Sequence, residues 1–462
     1  MAVAAERELS ETTSTGKGRT KATAKGAKER CIALVLGGGA PNLTMMAGAV
    51  AALDEEGVKF DLISTSGAGM LIGLLYAAPK GVSRKEALQA SVNMGVHDAI
   101  YNAFPVNYKV FHKPGPMAVA YTKFWQTMAR QKSEWERTCQ GWMNMVMGAS
   151  MAGPWAQMYR SWSDSAFKMP VGGFADEADA KRFFEDIGAL MLATLCPSDL
   201  NAASQGLCQW APFIEEVVDF EKVKHFPGEF YLSAYCIEDR EMVMFPKDQI
   251  SIEHFQAALS FPFIYSPFKL DGKTYIEGAA VDTLNFKGLE DYREQRHQEL
   301  KKRREQLAEH RRLQQEETLR EELDGLGLAR LLPPGLGHEH VELELSNVRK
   351  PLTHIIVCDI LGLEELIGEP RGLYDAWVKS IIIPLTAVAE DDVKIFETQH
   401  LEKLGDPPGS VSLLRLNFRE DMPQDHWPNV LDWSYSNLKT LFDVGFKAGK
   451  RFCAQNAKEL TA

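Results

Sequence analysis

Phe60-Asp61-Leu62-Ile63-Ser64-Thr65-Ser66-Gly67-Ala68-Gly69 is the stretch on which the fold turns. Phe60–Ser64 is short and apolar, as a buried strand is. Gly67–Ala78 is apolar nearly all round, which predicts a helix packed in the middle of a domain. Between them the small residues Ser64, Thr65, Gly67 and Ala68 form a tight turn with Ser66 at its apex. A serine is a poor nucleophile unless its hydroxyl is held open beside a base. A sharp strand-to-helix turn holds it so, provided that the residues two before and two after are small. Ser64 and Ala68 meet that need, although glycine is the usual occupant. Taken alone, the stretch reads equally well as a small-residue turn that merely packs.

Upstream, Cys31–Leu36 reads as another buried strand, stopped by Gly37-Gly38-Gly39. Leu43–Glu56 has helical spacing, with Met46, Val50 and Leu53 on one face and Gly57 as its stop. Strand, helix, strand and helix in so short a span predict an α/β fold with a mostly parallel sheet. The glycines let backbone N–H groups point into a common space, and the following helix adds its positive end. Such a loop can hold a phosphate or the oxyanion of acyl transfer. A dinucleotide site fits poorly, because the G-x-G-x-x-G spacing is absent.

Downstream, Phe230–Ile237, Met242–Phe245, Thr353–Ile360 and Val411–Leu416 read as further strands, and Asn429–Ala454 as a closing amphipathic helix. Two insertions interrupt this pattern. Residues 97–213 gather Trp125, Trp135, Trp142, Trp155 and Trp162 among many methionines and predict a helical cap, whose bulky side chains read first as its own core and second as an acyl-chain pocket or lid. Residues 290–335 are charged and helical and end at Pro333-Pro334-Gly335. Leu300 and Leu307 lie seven apart but Gln314 breaks the series, so a sustained coiled coil is not expected. A solvated helix laced with i,i+4 ion pairs is the expectation, with a protein partner on the 290–325 charged helix as the alternative.

The 462 residues are 45% hydrophobic and 25% charged, as in ordinary globular proteins, and carry a net charge of −12. That charge argues against nucleic acid as a partner. The seven cysteines are scattered without metal-ligand spacing, which reads as reduced thiols and a cytoplasmic protein. No apolar run reaches the ~18 residues of a membrane span. Residues 1–30 lack a signal-peptide core and read as a disordered, locally basic tail, so that residues 31–462 form the folded domain. His354 reads as a packed strand residue, and His338 and His340 around Glu339 as a loop, not a metal site.

A third feature is Tyr275-Ile276-Glu277-Gly278-Ala279, after a Leu270-Asp271-Gly272-Lys273 turn. An acid followed by two small residues puts a carboxylate at a strand end where a ligand can approach. In combination, Gly37-Gly38-Gly39, Ser64–Ala68 and Glu277-Gly278-Ala279 resemble the patatin-like phospholipase family. That family's pattern is a glycine-rich oxyanion loop, a G-x-S-x-G turn and a late D-G-[GA] motif that completes a Ser-Asp dyad. Ala257-Ala258-Leu259-Ser260-Phe261-Pro262 and Ser266-Pro267-Phe268 resemble the stretch before the family's acid, and Gly48–Gly57 its first helix.

The resemblance implies a three-layer α/β/α sandwich and a serine acyl hydrolase of lipid esters. Ser66 would be the nucleophile, Glu277 the base, and Gly37, Gly38 and Gly39 the oxyanion hole, with no metal or organic cofactor. Transfer of the acyl group to an alcohol, and peripheral contact with a membrane, stay open. The chain departs from the pattern at Pro41 and Asn42, at Ser64 and Ala68, and at the acid, where Glu277 replaces an aspartate. Asp282 is the reserve acid. These departures leave a second expectation, a catalytically degenerate fold that binds lipid or a protein partner. An ordinary Ser-His-Asp hydrolase is disfavoured, because its serine turn follows several strands and not the second.

Overall fold

A computed structural model describes residues 30–39, 42–103, 107, 176–195, 212–262, 264–325, 348–358, 369, 373–423 and 432–460. Apolar strands β1 (Ile32–Leu36), β2 (Leu62–Thr65), the first half of β3 (Glu229–Cys236), β7 (His354–Cys358) and β8 (Ser412–Arg415) run parallel. The hairpin strands β4 (Glu241–Pro246), β5 (Phe268–Leu270) and β6 (Lys273–Glu277) pair antiparallel beside β3. The order across the sheet is β5-β6-β3-β2-β1-β7-β8, with β4 also on β3. β1 and β2 are buried at every position, as continuous apolar runs must be when helices cover both faces of a sheet.

Alternation along β1 sorts the helices into two layers. Ile32, Leu34 and Leu36 belong to one apolar cluster, and Cys31, Ala33 and Val35 to another. The first cluster takes in α1 (Leu43–Glu55), α2 (Gly69–Ala77), α3 (Arg84–Ala90) and, from the far end of the chain, α8 (Tyr435–Gln455). The second takes in the start of α6 (Lys287–Gly325) and the end of α7 (Leu373–Ile395) through Leu289, Tyr292, Ala389 and Val393. The result is the expected three-layer α/β/α sandwich around a mostly parallel sheet.

The expected strands and first two helices are present with shifts of one or two residues, the closing helix begins at Tyr435 and not at Asn429, and Gly57 ends α1 with φ 80°. The Asp271-Gly272 turn joins β5 to β6 with both residues at positive φ, as a two-residue hairpin requires. Three of these helices went unread in the sequence: α3, α5 (Ile252–Leu259) and α7, which carries Pro384 in its interior. Of the cap, the described parts include Asp98–Ala103 and α4 (Glu177–Leu195), where Phe183, Ile187 and Leu190 pack on Ile100. The five cap tryptophans, Pro333–Gly335, His338 and His340 lie outside the described residues.

The charged insertion forms one continuous helix, α6, beginning at Lys287. Its first turns are tied to other elements by ion pairs from Arg296 to Asp406 at 2.9 Å and from Glu299 to Arg349, and by contact of Glu290 with His400. The helix is therefore tied along its first turns and solvated beyond them.

Helices α1 and α8 cross through glycines. A Cβ on Gly445 would lie 1.9 Å from the Met45 carbonyl oxygen, and one on Gly48 would lie 2.0 Å from that of Phe442. Only bare backbone fits there. Gly445→Ala is expected to lower stability by about 1–3 kcal/mol, as overpacking does. The measurement is the urea midpoint, which should fall with the slope unchanged.

Candidate active site

A strand has two hydrogen-bonding edges, and β3 divides one of them. β4 lines one edge from Tyr231 to Cys236, while the other carries β2 over Glu229–Leu232 and then β6 over Ala234–Cys236. β2 leaves the sheet at Thr65, opposite Leu232, and β6 arrives from the other direction and stops at Glu277, opposite Ala234. The two strand ends therefore meet. A Cβ built on Gly67 would lie 2.6 Å from the Glu277 Oε1 and 2.7 Å from the Ala279 Cβ, so the carboxylate rests directly against the turn that follows Ser66.

The turn is tight, with its positive φ at Gly67 (53°) and not at Ser66. The Ser66 N–H donates to the Leu36 carbonyl at 3.0 Å, which ties the turn to the end of β1. Gly69 opens α2 so close to that strand end that a Cβ would lie 2.5 Å from the carbonyl oxygens of Leu36 and Gly37. Ser64 and Thr65 are fully buried and act as anchors. The Ser64 hydroxyl donates to the Asn285 carbonyl at 2.6 Å, and the Thr65 hydroxyl to Tyr231 at 3.0 Å. In return the Asn285 side-chain amide donates to the Thr65 carbonyl at 3.1 Å. Ser64 thus has a use that glycine at that position would not supply.

Ser66 itself is fully buried, and its hydroxyl donates to the backbone carbonyl of Asp282 at 2.8 Å. The glycine loop is engaged by the same region. The Gly38 N–H donates to the Thr283 carbonyl and the Gly37 N–H to that of Cys358, both at 3.3 Å. Gly39 has φ 124°, a conformation that favours glycine. Ala40 and Pro41, the first departure noted in the loop, lie outside the described residues.

The two candidate acids differ in what they touch. The Glu277 carboxylate is buried with no hydrogen bond or ion pair among the described residues, and burial pushes it from 4.5 up to about 8. The Asp282 carboxylate is pushed up to about 7 by burial and then by the neighbouring Asp392, while it accepts the Leu284 N–H. Asp392, on α7, is itself raised to about 6, chiefly by burial, and accepts the Thr283 N–H. Its Oδ2 is buried without a partner. Thr283, Asn285 and Asp392 were not singled out in the sequence. The first two sit in a visible Asp282-Thr283-Leu284-Asn285 run, but Asp392 lies in a distant helix with no local signal.

The model of the family described as patatin-like phospholipase matches residues 34–289, more than half of the chain, and that span includes Ser66, Glu277 and Asp282. No curated protein matches. Among solved structures, VipD from Legionella pneumophila aligns over 94% of this chain and 72% of its own at 12% identity, with a TM-score of 0.27, too low to carry an argument.

A carboxyl whose folded pKa is raised binds its proton more tightly in the native state than in the unfolded chain. The stability it contributes is present below about pH 4.5 and lost as pH rises through about 8. Glu277→Gln has no such proton to lose. Its melting temperature relative to wild type is expected to rise between about pH 4.5 and about pH 8 and to level off above, read by calorimetry at each pH.

Proposed function

The chain belongs to the patatin-like phospholipase family, whose activity is the hydrolysis of lipid acyl esters, and on that premise we propose a serine acyl hydrolase working through an acyl-enzyme on Ser66. The observation that carries this is the uncommitted Glu277 carboxylate held against Gly67, the residue after the nucleophile. Asp282 is the weaker choice of base, because its carboxylate already serves the Leu284 N–H and its carbonyl faces the serine.

In the proposed reaction, ionised Glu277 takes the proton from the Ser66 Oγ as the oxygen attacks the acyl carbon. The N–H of Gly39, and that of Gly38 once it leaves Thr283, receive the charge that develops on the carbonyl oxygen. The proton passes to the departing alcohol, and a water activated by the same carboxylate releases the fatty acid. An alcohol in place of that water would make the reaction an acyl transfer. Both contacts that hold the site shut come from the Asp282-Thr283 segment, so one displacement frees the hydroxyl and the N–H together.

No described helix is long and apolar enough to cross a membrane, which supports a protein that meets lipid from the side. The four described cysteines are buried and in no disulfide, in keeping with a cytoplasmic setting. The second reading, a fold that binds lipid without turnover, is favoured by the bond from Ser66 to a peptide carbonyl where a dyad would have a carboxylate.

A fluorophosphonate probe is expected to label wild type and not Ser66→Ala. Ester hydrolysis across a lipid panel should fall at least about a thousandfold in Ser66→Ala and about a hundredfold or more in Glu277→Gln. Asp282→Asn should retain most activity. Hydrolysis by wild type should rise with pH through about 8 as Glu277 ionises. Unlabelled wild type that still carries lipid would establish the second reading.

A further inference from the structure

One residue on the shared edge of β3 pairs with neither of the two strands that divide it. β2 ends opposite Leu232 and β6 ends opposite Ala234, which places Ser233 at the gap between them. Ser233 is buried inside the run Phe230-Tyr231-Leu232-Ser233-Ala234, where a hydroxyl must find a partner. It donates to the Thr65 carbonyl at 3.2 Å. The same hydroxyl oxygen lies 2.8 Å from where a Cβ on Gly278 would stand. A single side chain thus meets the residue before the nucleophile and the residue after the acid.

The Thr65 carbonyl has a second donor. The Asn285 amide reaches it at 3.1 Å, and the Asn285 Oδ1 accepts the Gly288 N–H at 3.2 Å, which fixes the way the amide faces. Across the same peptide the Ser66 N–H donates to the Leu36 carbonyl at 3.0 Å. A carbonyl oxygen has two lone pairs, and two buried donors set its direction where one would only satisfy it. The peptide plane that carries the Ser66 Cα is therefore pinned on both sides. Among the described residues neither Ser233 nor Asn285 bonds the Ser66 hydroxyl or the Glu277 carboxylate, so each acts through the backbone.

We propose that Ser233 and Asn285 are paired positioning residues, which together orient the Thr65–Ser66 peptide and so set the aim of the Ser66 side chain. The proposal rests on the hydrolase reading for its chemistry and adds to it a hold on the nucleophile shared by two distant side chains.

The test is steady-state hydrolysis of a soluble short-chain p-nitrophenyl ester, with active sites counted by fluorophosphonate labelling. Ser233→Ala and Asn285→Ala are each expected to lower kcat per labelled site about fivefold with KM unchanged, because the remaining donor still holds the carbonyl. The double variant should lose at least about a hundredfold, more than the product of the singles, as two donors to one atom require. Gly449→Ala, whose Cβ would lie 2.7 Å from the Ala52 Cβ, is destabilised in the α1–α8 contact and should keep the wild-type kcat per labelled site. A purely structural pair would behave like Gly449→Ala, with fewer labelled sites and an unchanged kcat, and that result would overturn the proposal. So would a rise in KM alone, or single effects that merely multiply. Should Asn285→Ala fail to fold, Asn285→Asp, which keeps the acceptor for Gly288 and loses the donor to Thr65, is read in the same way. Hydrogen exchange over residues 62–70 separates the proposal from the reading beneath it, and is expected to quicken about tenfold in the double variant. Quickened exchange in a protein that neither labels nor turns over would overturn the hydrolase and keep the hold on Thr65; undiminished kcat with unquickened exchange would do the reverse.

Discussion

One edge of β3 is shared by two strands that approach each other end to end, and the site depends on that arrangement. Parallel β2 occupies the edge as far as Leu232, and antiparallel β6 takes it up again at Ala234. Neither strand can lengthen without colliding with the other. The chain must leave the sheet at Thr65 by a sharp turn and at Glu277 by another. The turn at Ser66 and Glu277, far apart in sequence, are brought together by hydrogen-bond registry, before any side chain interacts. Gly67 and Gly278 then make the contact sterically feasible. A Cβ on Gly278 would lie 2.8 Å from the Ser233 hydroxyl, just as one on Gly67 would strike Glu277.

The segment that follows β6 acts as a clasp. Over a few residues it offers the Asp282 carbonyl to Ser66, the Thr283 carbonyl to Gly38 and the Asn285 carbonyl to Ser64, while the Asn285 amide reaches Thr65. It is in turn held by α7 through Asp392 and the Leu385 carbonyl. Backbone carbonyls cannot be changed by substitution, so this clasp leaves little trace in residue identity.

Desolvation sets the electrostatics of the site. Glu277, Asp282 and Asp392 all sit where burial is the first cause of a raised pKa, and no cation among the described residues offsets it. An uncompensated buried carboxyl favours its protonated form. The same burial that pushes Glu277 up to about 8 makes its ionised form costly to the fold.

The sequence alone determined the parallel α/β core, the glycine loop, the turn at Ser66, the hairpin at Asp271-Gly272 and the candidacy of Glu277. These rest on local causes: apolar runs of strand length, small residues at a turn, and glycine where φ is positive. It also showed the family resemblance, because three short motifs keep their order and chemistry. Only the tertiary structure decided what the site residues touch. Ser64 read as a weak substitute for glycine and proved to be an anchor on Asn285. Asp282 read as a reserve acid, and the structure adds that its backbone carbonyl accepts from the serine. Helix α7 went unread because its apolar run is interrupted by Pro384, a residue that argues for a break when only local propensity is weighed. Contacts of that kind join residues a hundred or more positions apart through backbone atoms that every residue carries. No pattern of side chains along the chain encodes them.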